Sequence, residues 1–302
     1  MPPIQTVLCA FDGSAHARGA LVVAADLAER VSATLHLIHV NPLFRGAKSI
    51  EDDGAPQSAQ TVASVDAALG AEHAFEVLAP VVHRAHGQTP ADGIRRTAEE
   101  VGADVVVVGT RGRRGLERLL AGSVAAEVVR DSGVPVLVVA GQGAHAELGP
   151  EAPVLIGVDL ADPSSHVVAF GRAFAAIYHA PLALATVRDA APDRLVASGT
   201  HRRPLAPAPE RLSREAAHAA LAAFAAEAGA EDAERHVVPG PPAEALTALA
   251  ARDRAGLLVV GTHGRHGWGR LRLGSVAEGV VREAGCPVLV VPSAQEPSGD
   301  GA

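Results

Sequence analysis

The feature that most constrains this chain is an internal repeat near the end of each half. Residues 109–139 read GTRGRRGLERLLAGSVAAEVVRDSGVPVLVV, and residues 261–291 read GTHGRHGWGRLRLGSVAEGVVREAGCPVLVV. Most positions are identical, no gap is needed, and the two copies lie 152 residues apart throughout. A repeat of this length predicts two copies of one structural unit.

Each copy begins as a buried strand that runs into a glycine-rich loop. In the first copy the apolar, β-branched run Ala103–Gly109 indicates a strand covered on both faces. Gly109 and Gly112 suit a left-handed backbone or the close approach of a ligand. Ser123 stands near the N-cap of a helix predicted over Val124–Asp131. The loop also carries Arg111, Arg113, Arg114 and Arg118. A glycine loop, cations and a helix N-terminus together are typical of a phosphate site.

Composition and charge narrow the class of protein. The 302 residues, 48% of them apolar, suffice for two domains of ordinary size. A net charge of −8 and only 3% aromatic residues argue against a nucleic-acid partner. The N-terminus lacks the basic region of a signal peptide, and no apolar run reaches the roughly 18 residues of a membrane span. We therefore expect a cytoplasmic protein without a membrane or nucleic-acid partner.

Two rare residue types exclude further chemistry. Cys9 and Cys286 have no metal-ligand spacing and are expected to be small buried hydrophobic residues. Lys48 is the only lysine, so no GxxxxGK[ST] phosphate loop can exist. The histidines of the second glycine loop have no partner ligands nearby, and no metal site formed by side chains is predicted.

The rest of each half alternates short apolar strands with helical stretches. In the first half, the strand Ile4–Phe11 precedes Asp12, and Ser14 is expected to cap a helix over Ala15–Val31. Further strands are predicted at Thr34–Val40, Glu76–His83, Val136–Ala140, Val154–Val158, Leu182–Val187, His236–Val238, Leu257–Gly261 and Val288–Val291. Further helices are predicted at Thr61–Ala71, Pro90–Val101, Leu212–Ala228 and Ala243–Arg254. Another helix is predicted to begin at Ser164 or Ser165 and to run through His179. Such alternation predicts a parallel, doubly wound sheet whose ligand sits at the carboxyl ends of the strands.

At these residues each half resembles a universal stress protein domain. The most specific element is G-x2-G-x9-G-[ST], which marks the ATP-binding branch of that family. The motif is present as Gly109, Gly112, Gly122 and Ser123, and again as Gly261, Gly264, Gly274 and Ser275. The aspartates after the first strand (Asp12, Asp159) and the valines ending the second (Val40, Val187) also match.

The resemblance covers nearly the full length of both halves. We therefore predict an α/β protein of two tandem, Rossmann-like, doubly wound domains. Each would hold a five-stranded parallel sheet in the order 3-2-1-4-5. The predicted bounds are 1–142 for the first domain, 143–152 for a linker and 153–302 for the second domain.

The resemblance implies a nucleotide site in each half. In the first half, Asp12 and Val40 would hold the adenine–ribose end and Val108 and Gly109 would line the ribose. The residues around the triphosphate would be Arg111, Gly112, Gly122, Ser123 and Val124, with Ala10 completing the set. The second set is Asp159, Val187, Val260, Gly261, His263, Gly264, Gly274, Ser275 and Val276. The ligand would be ATP, with Mg²⁺ accompanying it.

The second half departs from the family pattern. His263 replaces an arginine, the segment after Asp159 differs, and Gly256 stands where the first copy has Asp104. The resemblance further implies that the terminal strands of the two halves pair across a pseudo-two-fold axis within one chain. A homodimer of chains stays open.

Three functions compete at this point. The first is an ATP-binding regulatory protein of the stress response with at most slow hydrolysis. The second is an interaction module that has lost its nucleotide. The third is an ATP-dependent enzyme of related fold, although the HxGH and SGGxDS motifs of such enzymes are missing after the first strand. Several of the proposed contacts also have plain structural readings: the glycines as turn residues, Asp12 and Ser123 as helix caps, and the remaining loop arginines as a solvated face.

Overall fold

A computed structural model describes residues 3–40, 81–85, 89–110, 123–140, 148–161, 165–188, 213–262 and 273–293. Ten strands lie in this part of the chain. They are β1 (Thr6–Ala10), β2 (Thr34–Val40), β3 (Val81–Ala85), β4 (Val105–Thr110), β5 (Val136–Ala140), β6 (Val154–Gly157), β7 (Leu182–Arg188), β8 (Glu234–Pro239), β9 (Leu257–Gly261) and β10 (Val288–Val291).

Seven helices connect or flank these strands in the described ranges. They are α1 (Ala15–Val31), α2 (Pro90–Val101), α3 (Ser123–Asp131), α4 (Ser165–Tyr178), α5 (Arg214–Glu227), α6 (Pro242–Arg252) and α7 (Ser275–Glu283). Local caps set several of the bounds. The side chain of Ser14 accepts a hydrogen bond from the Ala17 N–H and begins α1, as predicted, and Ser32 ends that helix in the left-handed region. The helix predicted at Thr61–Ala71 lies outside the described residues.

The strands form one sheet in the order β3-β2-β1-β4-β5-β10-β9-β6-β7-β8. The first half (β1–β5) and the second half (β6–β10) each follow the predicted order 3-2-1-4-5. All neighbours within a half run parallel, and only β5 and β10 pair antiparallel. The strands of the two halves therefore point in opposite directions, and their carboxyl ends lie at opposite edges of the sheet.

The pairing of β5 with β10, here called the seam, follows the sequence repeat. Leu137 lies opposite Leu289, and these residues occupy the same position of the two copies, 152 residues apart. Val136 and Val138 lie opposite Val290 and Val288. A pseudo-two-fold axis therefore passes between the two leucines, and the two terminal strands become the centre of the full sheet, not its edges.

Two continuous hydrophobic cores cover the two faces of the sheet. The first core contains the buried faces of α1, α4 and α5, and the second core contains those of α2, α3, α6 and α7. Successive residues of a strand lie in alternate cores: Val7 and Cys9 belong to the first core and Leu8 belongs to the second. Each half thus covers both faces, which explains why its strands are almost wholly apolar.

Asp104 lies at the amino end of β4, opposite to the edge where a nucleotide is expected. One of its carboxylate oxygens accepts hydrogen bonds from the backbone N–H groups of Gln5 (2.7 Å) and Thr6 (2.9 Å). At the corresponding Gly256, the backbone N–H donates to Pro153, as that of Asp104 donates to Thr6. Gly256 has no carboxylate, and Ala152 fills the space that a side chain would need. The difference between Asp104 and Gly256 therefore affects the amino ends of the strands. It does not bear on the nucleotide site predicted for the second half, which lies at the carboxyl ends.

Replacing Asp104 with alanine should therefore destabilise the fold without touching ligand binding. Losing two charge-assisted hydrogen bonds to backbone donors should lower the free energy of unfolding by about 2 kcal/mol. Asp104→Asn, which keeps an acceptor oxygen without the charge, should lose about half as much. Urea denaturation of the three proteins measures both effects. An unchanged midpoint for Asp104→Ala would show that water replaces the carboxylate at no cost.

Candidate functional site

The strand order places a topological switch point, here called the crevice, at the carboxyl end of β1 and β4. These strands are parallel neighbours, with Cys9 beside Val107, so the chain segments that follow them lie together. The helix α1 leaves toward the first core and α3 toward the second. Doubly wound proteins bind their ligands at a switch point of this kind. β6 and β9 repeat the arrangement at the opposite edge of the sheet.

Each crevice has an aspartate at its mouth. The Oδ1 atom of Asp12 accepts a hydrogen bond from the Ser14 N–H (2.9 Å), and that of Asp159 accepts one from the Ala161 N–H (2.8 Å). Both aspartates are exposed. The N-cap of α1 is Ser14, so Asp12 is a turn-forming residue before the helix and not its cap. A carboxylate accepts up to about four hydrogen bonds, so each retains acceptor capacity for a ligand.

The floor of the crevice differs between the halves. Ala10 and Val108 face the second core in the first half, and Val187 and Val260 do so in the second. Gly157 occupies the position of Ala10, and a Cβ there would lie 2.9 Å from Leu246 Cδ1. The leucine of α6 therefore occupies space that the alanine methyl fills in the first half, and Gly157 does not enlarge the second crevice.

The valines that end the second strand of each half lie one strand away from the aspartates. Val40 is level with Ala85 of β3, and Val187 is level with Val238 of β8. β2 and β7 are the direct neighbours of β1 and β6. Backbone groups at these two positions can therefore line the same crevice as Asp12 and Asp159.

Gly109 has a packing role that the sequence does not reveal. A Cβ at this position would lie 2.5 Å from the backbone oxygen and 2.8 Å from the carbonyl carbon of His16. The first turn of α1 thus rests directly on the end of β4. At Gly261 the nearest atom to such a Cβ is Cγ2 of Val167, at 3.3 Å. The glycine of the first copy permits a close approach by a helix, whereas the sequence interpretation invoked a turn or a ligand.

The two ends of the second glycine loop are held together at the start of α7. Thr262 receives a hydrogen bond on its backbone oxygen from the Gly274 N–H (2.8 Å), and its own N–H donates to Val291 (2.9 Å). Its hydroxyl oxygen accepts a further bond from the Ser293 N–H (3.1 Å). Thr262 therefore fixes where the strand ends and the helix begins. Both copies carry a threonine at this position, Thr110 and Thr262.

The helix that follows this loop begins without a side-chain cap. Gly274 is its N-cap residue and Ser275 its first residue, with Val276 second. In the first half α3 begins at Ser123, followed by Val124. The loop residues themselves lie outside the described part of the chain. They include the predicted contacts Arg111, Gly112, Gly122, His263 and Gly264.

A histidine holds the start of α4 in the second half. The Nε2 atom of His166 lies 3.0 Å from the backbone oxygen of Pro292, just after β10. The two halves thus position their first helix differently, through a side-chain hydrogen bond at His166 and through backbone packing at Gly109. This difference follows the sequence divergence after Asp159.

Neither cysteine has the properties of a reactive thiol. Cys9 is fully buried, and burial raises the pKa of its thiol far above the ordinary value. Burial also raises the pKa of Cys286 to about 11. Both thiols therefore stay protonated at neutral pH, and both side chains pack as small hydrophobic groups. No helix among the described residues is long and apolar enough to cross a membrane.

Comparison with known proteins identifies the family to which this chain is similar. The model of the universal stress protein family matches residues 3–140 and again residues 152–292. A universal stress protein of Mycobacterium tuberculosis is 32% identical over 249 residues, which cover 80% of this chain and 77% of that one. One of Mycolicibacterium smegmatis is 29% identical, covering 94% and 96%. A solved universal stress protein of Archaeoglobus fulgidus has a TM-score of 0.64 at 19% identity, covering 97% of each chain, and so shares the fold.

Proposed function

The chain belongs to the universal stress protein family, and we propose from that premise that it binds ATP at one or both switch-point crevices. Nucleotide occupancy would regulate a partner or a conformation in a stress response. Hydrolysis would be slow at most, and no catalytic residue is assigned. The alternative is an interaction module that works without a nucleotide.

The observation that carries the proposal is the uncapped N-terminus of α7 beside the anchored glycine loop. α1, α2 and α5 each begin with a serine or threonine whose oxygen accepts a backbone N–H, whereas Gly274 offers no such oxygen. Pro241 before α6 offers none either, but α6 follows the outermost strand β8, whereas α7 follows β9 at the switch point. Within the described residues, the N–H groups of the first turn of α7 therefore receive no side-chain cap at the switch point. A phosphate supplies the missing acceptor and the negative charge that a helix N-terminus favours.

The remaining groups fit a nucleotide laid across the strand ends. Asp12 or Asp159 would accept from the ribose hydroxyls, and backbone groups of Val40 or Val187 would meet the adenine. The arginines of each glycine loop would add positive charge beside the triphosphate in a chain whose net charge is −8. Mg²⁺ would enter with the phosphates, which are its preferred ligands together with water.

The opposite directions of the two halves keep the two crevices apart. Because the strands of each half end at opposite edges of the sheet, one small nucleotide cannot bridge both crevices. The proposal therefore allows two equivalents of nucleotide per chain.

Calorimetric titration of ATP with Mg²⁺ into the purified chain tests the proposal. We expect saturable binding of one or two equivalents, together with a rise in thermal stability. Ligand at 100 times its dissociation constant should stabilise the chain by about 2.7 kcal/mol. Titration with GTP serves as the control for the base. Neither heat nor a thermal shift with any adenine nucleotide would contradict nucleotide binding and leave the interaction module.

A further inference from the structure

The two halves also meet at the last turns of α1 and α4. The guanidinium carbon of Arg30 lies 4.8 Å from the centre of the Tyr178 ring, which makes a cation–π contact between the halves. Arg30 is held there by Asp26 one turn earlier, with Nε 3.0 Å from the carboxylate. Tyr178 is only 2% exposed. Burial, and then the Asp26 carboxylate, raise the pKa of its phenol, so the ring stays neutral.

This contact is made on one side of the pseudo-two-fold axis only. α1 and α4 correspond at a spacing of 147 residues, and both are followed by a left-handed residue, Ser32 (φ 55°) and His179 (φ 53°). By this correspondence Arg30 matches Ile177, and Tyr178 matches Val31. Ile177 and Val31 are partly buried against the first core. One side of the axis is therefore polar and aromatic, and the other side is aliphatic.

The seam itself cannot distinguish one half from the other. The residues that form it read PVLVV in both copies, at 135–139 and 287–291. Their register places Leu137 against its own counterpart, Leu289. Pairing of β5 with the β5 of a second copy of the chain would therefore reproduce every backbone and side-chain contact of the seam. Whatever selects the unlike partner has to lie outside these strands.

We propose that the Arg30–Tyr178 contact makes the first half pair with the second half of its own chain rather than with the same half of a second copy. In a like pairing of first halves, each Arg30 would face a valine. In a like pairing of second halves, each Tyr178 would face an isoleucine. Two chains that exchanged halves in this way would lose both cation–π contacts. Specificity of this kind is a difference between the right pairing and the wrong one.

The seam offers a probe that reports the pairing directly. Leu137 is the position that would oppose itself in a like pairing of first halves, whereas in the single chain it opposes Leu289. Opposed residues of antiparallel strands have Cα atoms about 4.5 to 5.5 Å apart, which suits a disulfide. In a background with Cys9 and Cys286 replaced by alanine, Leu137→Cys alone forms a disulfide only between chains. Leu137→Cys with Leu289→Cys forms one within a chain.

The experiment refolds these chains from urea in a thiol–disulfide buffer and separates them on non-reducing gels. We expect an intrachain disulfide in the double-cysteine chain and almost no covalent dimer of the single-cysteine chain. Arg30→Ile with Tyr178→Val, which makes the two halves alike, should raise the share of covalent dimer about tenfold. Tyr178→Phe keeps the aromatic face, and Arg18→Ile removes an arginine of α1 away from this contact, so both should behave as the parent.

Three results would overturn the proposal. Equal dimer shares with and without the Arg30 and Tyr178 changes would show that the contact does not select the partner. A large share of dimer in the chain that keeps Arg30 and Tyr178 would show that like pairing is not disfavoured. Failure of the double-cysteine chain to form its intrachain disulfide would contradict the seam itself. None of these readouts involves a nucleotide, so the proposal stands or falls independently of the proposed function.

Discussion

Replacing Gly109 with alanine is expected to be among the most destabilising single substitutions in the first half. The added methyl group would lie 2.5 Å from the backbone oxygen of His16, and backbone atoms cannot move aside as the end of a flexible side chain can. The first turn of α1 would have to move away from the end of β4, against which it now packs. Overpacking of this kind should lower the free energy of unfolding by about 3 kcal/mol. Urea denaturation monitored by circular dichroism measures the loss.

The repeat supplies a matched control at Gly261. There the same methyl group would meet only Cγ2 of Val167, at 3.3 Å, and the valine can yield by a few tenths of an ångström. We expect Gly261→Ala to cost less than about 1 kcal/mol. Equal losses for the two variants would contradict the packing role of Gly109, since neither glycine has a positive φ that would require it.

Much of the fold could be predicted because each half buries both faces of its sheet. Continuous β-branched runs mark such strands, and β5, β9 and β10 have the bounds predicted from sequence. Helix bounds followed from caps and glycines: α1 and α2 match their predictions, and Gly102 ends α2 in the left-handed region. The order 3-2-1-4-5 in each half is confirmed as well.

The outer strands were the least predictable elements. β3 was predicted at Glu76–His83, and the described strand, Val81–Ala85, continues two residues beyond that prediction. Residues 76–80 lie outside the described part of the chain. β8 was predicted at His236–Val238, but it extends over Glu234–Pro239 because β7 pairs with it along that length. Charged residues are tolerated in an edge strand, so a prediction based on apolar runs missed the ends of this strand.

The position of the candidate site could be predicted from the sequence. The structural role of each residue in it was harder to predict. The switch point brings the segments after Ala10 and Val108 together because β1 and β4 are neighbours, as the doubly wound pattern implies. The approach of His16 to Gly109 and the anchoring of the loop by Thr262 are tertiary contacts. No local pattern encodes them, since each joins residues far apart in the chain. The predicted nucleotide contacts themselves remain proposals.

Replacing Gly274 with aspartate is expected to abolish nucleotide binding in the second half while leaving the fold intact. Gly274 has φ −61° and ψ 146°, which any residue adopts, so the backbone does not require glycine there. Aspartate is a favoured N-cap residue and should satisfy the first turn of α7. Its carboxylate would then occupy the place of the phosphate. Two like charges about 4 Å apart repel by about 4 kcal/mol at an effective dielectric constant near 20, so affinity should fall more than about a hundredfold.

Gly274→Asn separates charge from shape in this test, because asparagine caps a helix as well as aspartate and carries no charge. It should weaken binding less than about tenfold, since only a competing cap is added. Calorimetry with ATP and Mg²⁺ then has three informative results. A fall from two equivalents to one in Gly274→Asp alone assigns a working site to the second half. One equivalent in all three proteins assigns the nucleotide to the first half, where the anion must meet the equivalent start of α3. Equal losses of affinity in both variants would mean that Gly274 is needed because a side chain does not fit, and that the charge of the side chain has no effect. That result would contradict a phosphate at the start of α7.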